Sequence, residues 1–312
     1  MLNRLICFKL INNIDTPNIF ILLYLYSKKY NDCILKNKLK QLANKWISHG
    51  TKILDYFYGV GTHDKFFVDF DDVIDWKLFS SIIKEDTIRK YSEKIEWKEI
   101  CKQKLSEDFI REFKDKVNWS NISAYQELSE EFIREFNDKV DWYHISMIQK
   151  LSENFIREFK DKINWENISR FFRLSENFIR EFKDKVDWGN ISAYQQLSEN
   201  FIKEFKDEVE WYFISYFQTL SEDFIREFKD RVYWNGISEK QELSENFIRE
   251  FRNEVYWVNI YIKQKLSEDF IREFHDKVDW KYISQYQKLS ENFIREFSDK
   301  VDWGFIVSNL HE

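Results

Sequence analysis

Glycine, cysteine and proline are scarce in this chain of 312 residues, which has six, three and one of them. The six glycines form no phosphate-cradling loop, which removes the commonest sequence route to a nucleotide site. The cysteines (Cys7, Cys33, Cys101) have no metal-binding spacing and are odd in number, as expected of a protein in a reducing compartment. Five histidines (His49, His63, His144, His275, His311) fall at unrelated positions, none in an H-E-x-x-H cluster. The longest apolar run, Ile19–Tyr26, is far short of the ~20 residues a membrane helix needs. Lys9 interrupts the apolar stretch before it, so a signal-peptide core is not expected. A basic excess is missing too: the net charge is −7, without the basic stripe of a nucleic-acid groove. The expectation is a cytoplasmic, non-enzymatic protein with no metal, cofactor, small-molecule substrate, nucleic acid or membrane as its partner.

Aromatic residues, by contrast, are abundant and ordered. Eleven tryptophans stand in a row: Trp76, Trp97, Trp119, Trp142, Trp165, Trp188, Trp211, Trp234, Trp257, Trp280 and Trp303. The first two gaps are 21 and 22 residues and the remaining eight are all 23. Such a period means one small unit copied in tandem, and such copies stack. A single continuous helix is excluded, because at about 100° per residue successive tryptophans would spiral around the rod. A heptad seam fails as well, since 23 is not a multiple of seven.

One copy, Leu174 to Gln196, reads LSENFIREFKDKVDWGNISAYQQ. Ser175 is a preferred N-cap and Glu176 suits the positive end of a helix dipole. Leu174 and Ile179 have the spacing of a hydrophobic staple, and the arrangement recurs at Val186, Asp187 and Ile191. The spacing predicts helix A over about 175–185 and helix B over about 187–195, joined by a tight turn. The apolar positions Leu174, Phe178, Ile179, Phe182, Val186, Trp188, Ile191 and Tyr194 form the expected core. Helices this short are marginal alone, so neighbouring copies must supply their stability. Charges four apart (Glu176 with Arg180, Arg180 with Asp184, Glu181 with Lys185) read as a solvated face of helix A.

The pattern predicts an all-α solenoid of about eleven helix pairs. Nine regular repeats fill residues 105–312, worn copies fill 67–104, and residues 1–66 form an N-terminal helical cap. Trp119, Trp142, Trp165, Trp188, Trp211, Trp234, Trp257, Trp280 and Trp303 are structural, each opening helix B and wedging towards the next pair. The copies differ most at the two positions after Trp and at the position four beyond the first of them, which share one face of helix B. Large side chains there make Tyr143, His144, Met147, Tyr212, Phe213, Tyr216, Val258, Ile262, Tyr282 and Gln285 the candidate contacts of a protein-interaction scaffold.

Two resemblances add to this. The phrase LSENFIREFKDKVDW with its echo ISxYQ resembles tandem repeats in proteins encoded by giant viruses of amoebae, over roughly residues 83–312. The richness in Asn, Lys, Ile, Tyr and Phe is similar to that of such AT-rich genomes. The resemblance implies a helical-repeat protein acting on a host protein in the host cytoplasm, or a structural part of a virion, and carries no activity or cofactor. The segment Pro17 to Trp46 resembles the plan of an F-box, with Thr16 where that motif usually has Leu before the Pro. That implies an adaptor joining the repeats to a ubiquitin ligase.

Overall fold

In the computed structural model, residues 83–309 are described, with a few isolated positions before them. Every described element is a helix, from Glu85–Lys90 to Trp303–Asn309, and short helices alternate at the 23-residue period of an α-solenoid. Compactness divides the chain into two units, Met1–Leu151 and Ser152–Glu312. The predicted cap and the F-box-like segment lie outside the described residues, apart from isolated helical positions among which Leu23, Tyr24, Leu35 and Leu39 are buried.

Capping sets the rhythm of each pair. The Ser175 side chain accepts the Phe178 backbone N–H at 3.2 Å, and helix A then runs Glu176–Glu181. It is shorter than its charge pattern predicts. Phe182 leaves the helical region at φ −115°, ψ 29°, and its ring is buried. Two bonds from Lys185 N–H (2.9 Å) and Val186 N–H (3.1 Å) to the Phe182 carbonyl then close a turn. Asp187 starts helix B (Trp188–Tyr194) by accepting the Asn190 N–H at 2.7 Å, and Gln195 ends it in extended backbone. Glu210, Tyr233 and Tyr256 occupy the same cap position without a side-chain bond, so packing rather than capping holds those helices.

The core of a repeat is Phe178, Ile179, Phe182, Val186 and Ile191, all buried. In the second unit the B helices lie against one another in chain order, from Trp165–Phe171 through Trp188–Tyr194 and Trp211–Phe217 to Trp303–Asn309. In the first unit Trp119–Tyr125 packs on Trp142–Ile148 in the same way.

The packing departs from the expected core at two positions of the repeat. Tyr194 is 56% exposed, because the last turn of helix B points it away from the neighbouring pairs. The tryptophans are half-buried rather than core: the Trp188 ring lies 5.0 Å from Phe205 and 6.2 Å from Phe201, both in the next repeat. Its indole N–H donates to the Lys183 carbonyl at 3.0 Å. Trp303, with no described repeat beyond it, is 51% exposed.

A polar frame, unanticipated by periodicity, ties neighbouring repeats together within each unit. Buried Gln195 accepts the Leu174 N–H at 3.0 Å and donates to the carbonyls of Ser169 (2.8 Å) and Phe172 (2.7 Å). Gln126 in the first unit and Gln218 and Gln287 in the second make corresponding bonds. Ser192 donates to the Trp188 carbonyl and accepts the Glu210 N–H of the following repeat. The worn copies keep this device, with Ser80 bonded to the Trp76 carbonyl and the Glu96 N–H. In one worn copy buried Cys101 takes the serine's place, accepting the Asn118 N–H at 3.3 Å, and burial pushes its thiol up. Tyr261 replaces the serine in another copy, where its hydroxyl donates to the Lys277 carbonyl at 2.7 Å and burial raises the phenol.

The charges on helix A also work between repeats. Glu176 meets Arg180 at 3.6 Å as expected, but Glu181 pairs with Arg157 (2.7 Å) and Lys185 with Asp161 (2.8 Å), both one repeat back. Arg180 reaches Glu204 at 2.8 Å while its guanidinium covers the Phe201 ring at 5.0 Å. Thus one side chain shields the next repeat's core and bridges its surface.

Candidate functional site

The outer face of helix B carries the variable side chains. On it the structure places Tyr143, Tyr212 and Val258 exposed, and His144, Met147, Phe213, Tyr216, Ile262, Tyr282 and Gln285 half-buried. In the first unit the Tyr143 and His144 rings meet edge-on at 5.6 Å, and His144 Nδ1 lies 3.0 Å from the Asp141 carboxylate that caps the helix. At the far end of the second unit the Tyr282 ring stacks on Tyr286 at 6.3 Å.

Only one group of the predicted residues gathers into a patch. Tyr212 lies 4.8 Å from Tyr216 and 5.4 Å from Phe213, and its other edge meets Tyr233 of the next repeat at 5.2 Å. Phe213 and Tyr216 in turn border Phe217, at 6.1 and 6.4 Å. The next copy makes room for one of these rings: a Cβ at Gly236 would stand 2.7 Å from Tyr216, whereas one at Gly189 would keep an ordinary contact distance, 3.8 Å, from Phe213. The Tyr216 hydroxyl donates to Asn235 Oδ1 at 3.1 Å, and that oxygen also accepts from Asn259 Nδ2 at 3.0 Å. Burial raises the Tyr216 phenol.

Comparison of the chain with protein-family models, curated proteins and solved structures finds no match. The face therefore has to be read from its own chemistry.

Sequence reasoning missed a second row, six residues after each tryptophan. Tyr125 and Ile148 in the first unit, and Phe171, Tyr194, Phe217 and Tyr286 in the second, are all exposed. The signal was available, since Lys240 and Lys263 hold the same position in two copies, and a core site would not accept lysine. Tyr233 and Tyr256, at the cap position before Trp, are exposed as well. The Arg170 guanidinium lies over both Phe171 (5.2 Å) and Tyr194 (5.3 Å), joining two repeats of this row.

The remainder of the described surface differs in kind. A crevice beside helix A, of about 490 Å³, is lined mainly by charged groups, among them Arg226 and Glu250, which pair with each other at 2.8 Å. Among the described residues no group of three His, Cys, Asp or Glu is placed to hold a metal. No described helix is long and apolar enough to cross a membrane.

Proposed function

We propose that this chain is a non-enzymatic protein-binding scaffold acting in the cytoplasm, with the aromatic face of helix B as its contact surface. The observation that carries this reading is the seating of Tyr216 on Gly236, where a Cβ would stand 2.7 Å from the ring. Free drift at exposed sites has no reason to set a bulky ring on a glycine of the adjacent copy. A patch that must remain both exposed and rigid has one. Tyrosine and phenylalanine give large contact area at little entropic cost, and are enriched in interface cores.

The test is affinity capture by the full chain, with bound proteins quantified by mass spectrometry, against the pair Tyr212→Ala with Phe217→Ala. Both rings are about half exposed, so the fold should survive their loss. Loss of the captured proteins on substitution supports the reading. Capture unchanged by it would place the contact surface elsewhere.

A further inference from the structure

The chain contains a single Asn–Gly step, Asn235–Gly236, and it falls in the first turn of a B helix, Trp234–Lys240. Glycine has no side chain to hinder its own nitrogen, so an asparagine amide is most readily attacked by the next backbone nitrogen at such a step. A helical turn protects against this reaction, because the side-chain carbon and that nitrogen do not line up while the turn holds.

This turn is held less firmly than in the capped copies. The third N–H of a helix has no carbonyl of its own helix to bond. Where Asn or Asp caps helix B, the cap can take it: Asn121 N–H goes to Asn118 Oδ1 at 2.9 Å, and Asn190 N–H to Asp187 Oδ1 at 2.7 Å. In this copy the cap is Tyr233, which makes no side-chain bond, and among the described residues nothing accepts the Gly236 N–H. The Asn235 amide is fixed and polarised at the same time. Its Oδ1 accepts from the Tyr216 hydroxyl at 3.1 Å and from Asn259 Nδ2 at 3.0 Å, and this is the oxygen on which negative charge develops as the amide is attacked. Asn235 is half-buried and partly open to water, whereas Gly236 lies beneath the Tyr216 ring. Attack therefore waits on opening of the first turn, which the missing cap makes easier.

We propose that Asn235 is a site of spontaneous deamidation, its amide lost to the Gly236 nitrogen that the uncapped turn leaves free. The Gly236 nitrogen gives its proton to a base in solvent and bonds to Asn235 Cγ. The Cγ–Nδ2 bond breaks, and the amide nitrogen takes a proton from solvent and leaves as ammonia. The cyclic succinimide then takes up water at either carbonyl, giving aspartate or isoaspartate at position 235. The sum is loss of ammonia and gain of water, with no oxidant and no enzyme. Isoaspartate lengthens the backbone by a carbon, which shifts Gly236 from its place under Tyr216 and loosens the aromatic patch.

The full chain is incubated at mildly alkaline pH below its melting temperature, digested at acidic pH, and mapped by liquid chromatography and mass spectrometry. The map separates the asparagine, aspartate and isoaspartate forms of each peptide. Asn235 should convert to both products faster than every other asparagine, including Asn259, which lies in an equally uncapped helix but precedes isoleucine. Tyr233→Asp supplies the cap that Asp187 provides in its own copy, and should slow the conversion about fivefold, the factor an ordinary helix cap is worth. Tyr233→Ala, which removes the same ring without adding a cap, should not slow it. Far-UV circular dichroism verifies that both variants are folded. Asn235 that stays intact in the folded chain would overturn the proposal, the urea-unfolded chain serving as the positive control. Equal rates in wild type and Tyr233→Asp, or equal slowing by Tyr233→Ala, would overturn it as well.

Discussion

Tyr216 rests on Gly236 so closely that a single methyl group at Gly236 would stand 2.7 Å from its ring. The two residues belong to consecutive repeats, and at the corresponding position of other copies Asn121, Asn167 and Asn190 occupy the place of Gly236. The contact makes Gly236 and Gly189 unequal. Gly236→Ala should displace Tyr216, and the overpacking cost of about 1–3 kcal/mol outweighs the gain of about 0.8–1 kcal/mol in helix propensity. At Gly189 the nearest atoms stand 3.4 and 3.8 Å from the added Cβ, so Gly189→Ala should stabilise by about 0.5–1 kcal/mol. Urea unfolding of the two variants measures the difference. Equal effects would show that Tyr216 is not held by the contact.

The glutamine ladder gives a sharper expectation. Gln195→Ala strands one backbone N–H and two carbonyls in the interior, costing on the order of 3–9 kcal/mol at about 1–3 for each unsatisfied group. Gln195→Glu leaves the acceptor but turns a buried carboxylate towards two carbonyls. Its folded-state pKa must then lie above the unfolded value, so the ionised side chain destabilises at neutral pH. Stability relative to wild type should recover as pH falls through the raised pKa, which a series of melts between pH 4 and pH 8 would reveal.

How far could this frame be read in the sequence? The Trp period and the Ser and Asp caps were legible, because they depend on residues within a few positions of one another. The ladder bonds join residues 21 to 26 apart, such as Gln195 with Leu174 and with Ser169. Their approach is set by how one pair stacks on the next, which periodicity alone does not specify. The same distinction explains the charges. The i,i+4 pair Glu176–Arg180 was visible, whereas Arg157–Glu181 depends on stacking. The binding face was half legible: variation between copies marked Tyr212, Phe213 and Tyr216. The companion row at Phe171, Tyr194 and Phe217 was missed, because in the copy read for the core its member Tyr194 counted as one more apolar position.

The arginine row should be worth more by its cover of phenylalanine than by its charge. Arg180→Ala removes the guanidinium over Phe201 and the bridge to Glu204, for an expected loss of about 1 kcal/mol. Arg295 is mostly exposed and, among the described residues, pairs with Glu291 of its own helix, so Arg295→Ala should change stability by less than about 0.3 kcal/mol. High salt should leave most of the Arg180 effect in place. Its disappearance at 1 M salt would mean the charge pair dominates.

The tryptophans offer a comparable contrast along the stack. Trp188 lies against two phenylalanines of the next repeat, and because it is half-buried Trp188→Ala should cost about 2–3 kcal/mol, below the ~3–5 of a fully buried ring. Trp303 is 51% exposed, and Trp303→Ala should cost under about 1 kcal/mol. Thermal melts of the two single variants check the order.

The most direct test of the binding face is site-specific photocrosslinking from inside it. A benzoylphenylalanine placed at position 217, on the exposed row, is compared with one at position 183, on the turn after helix A, where Lys183 is also exposed. In cell lysate the account predicts a discrete adduct from position 217 and none from 183. Adducts from 183 alone, or the same adducts from both, would contradict it.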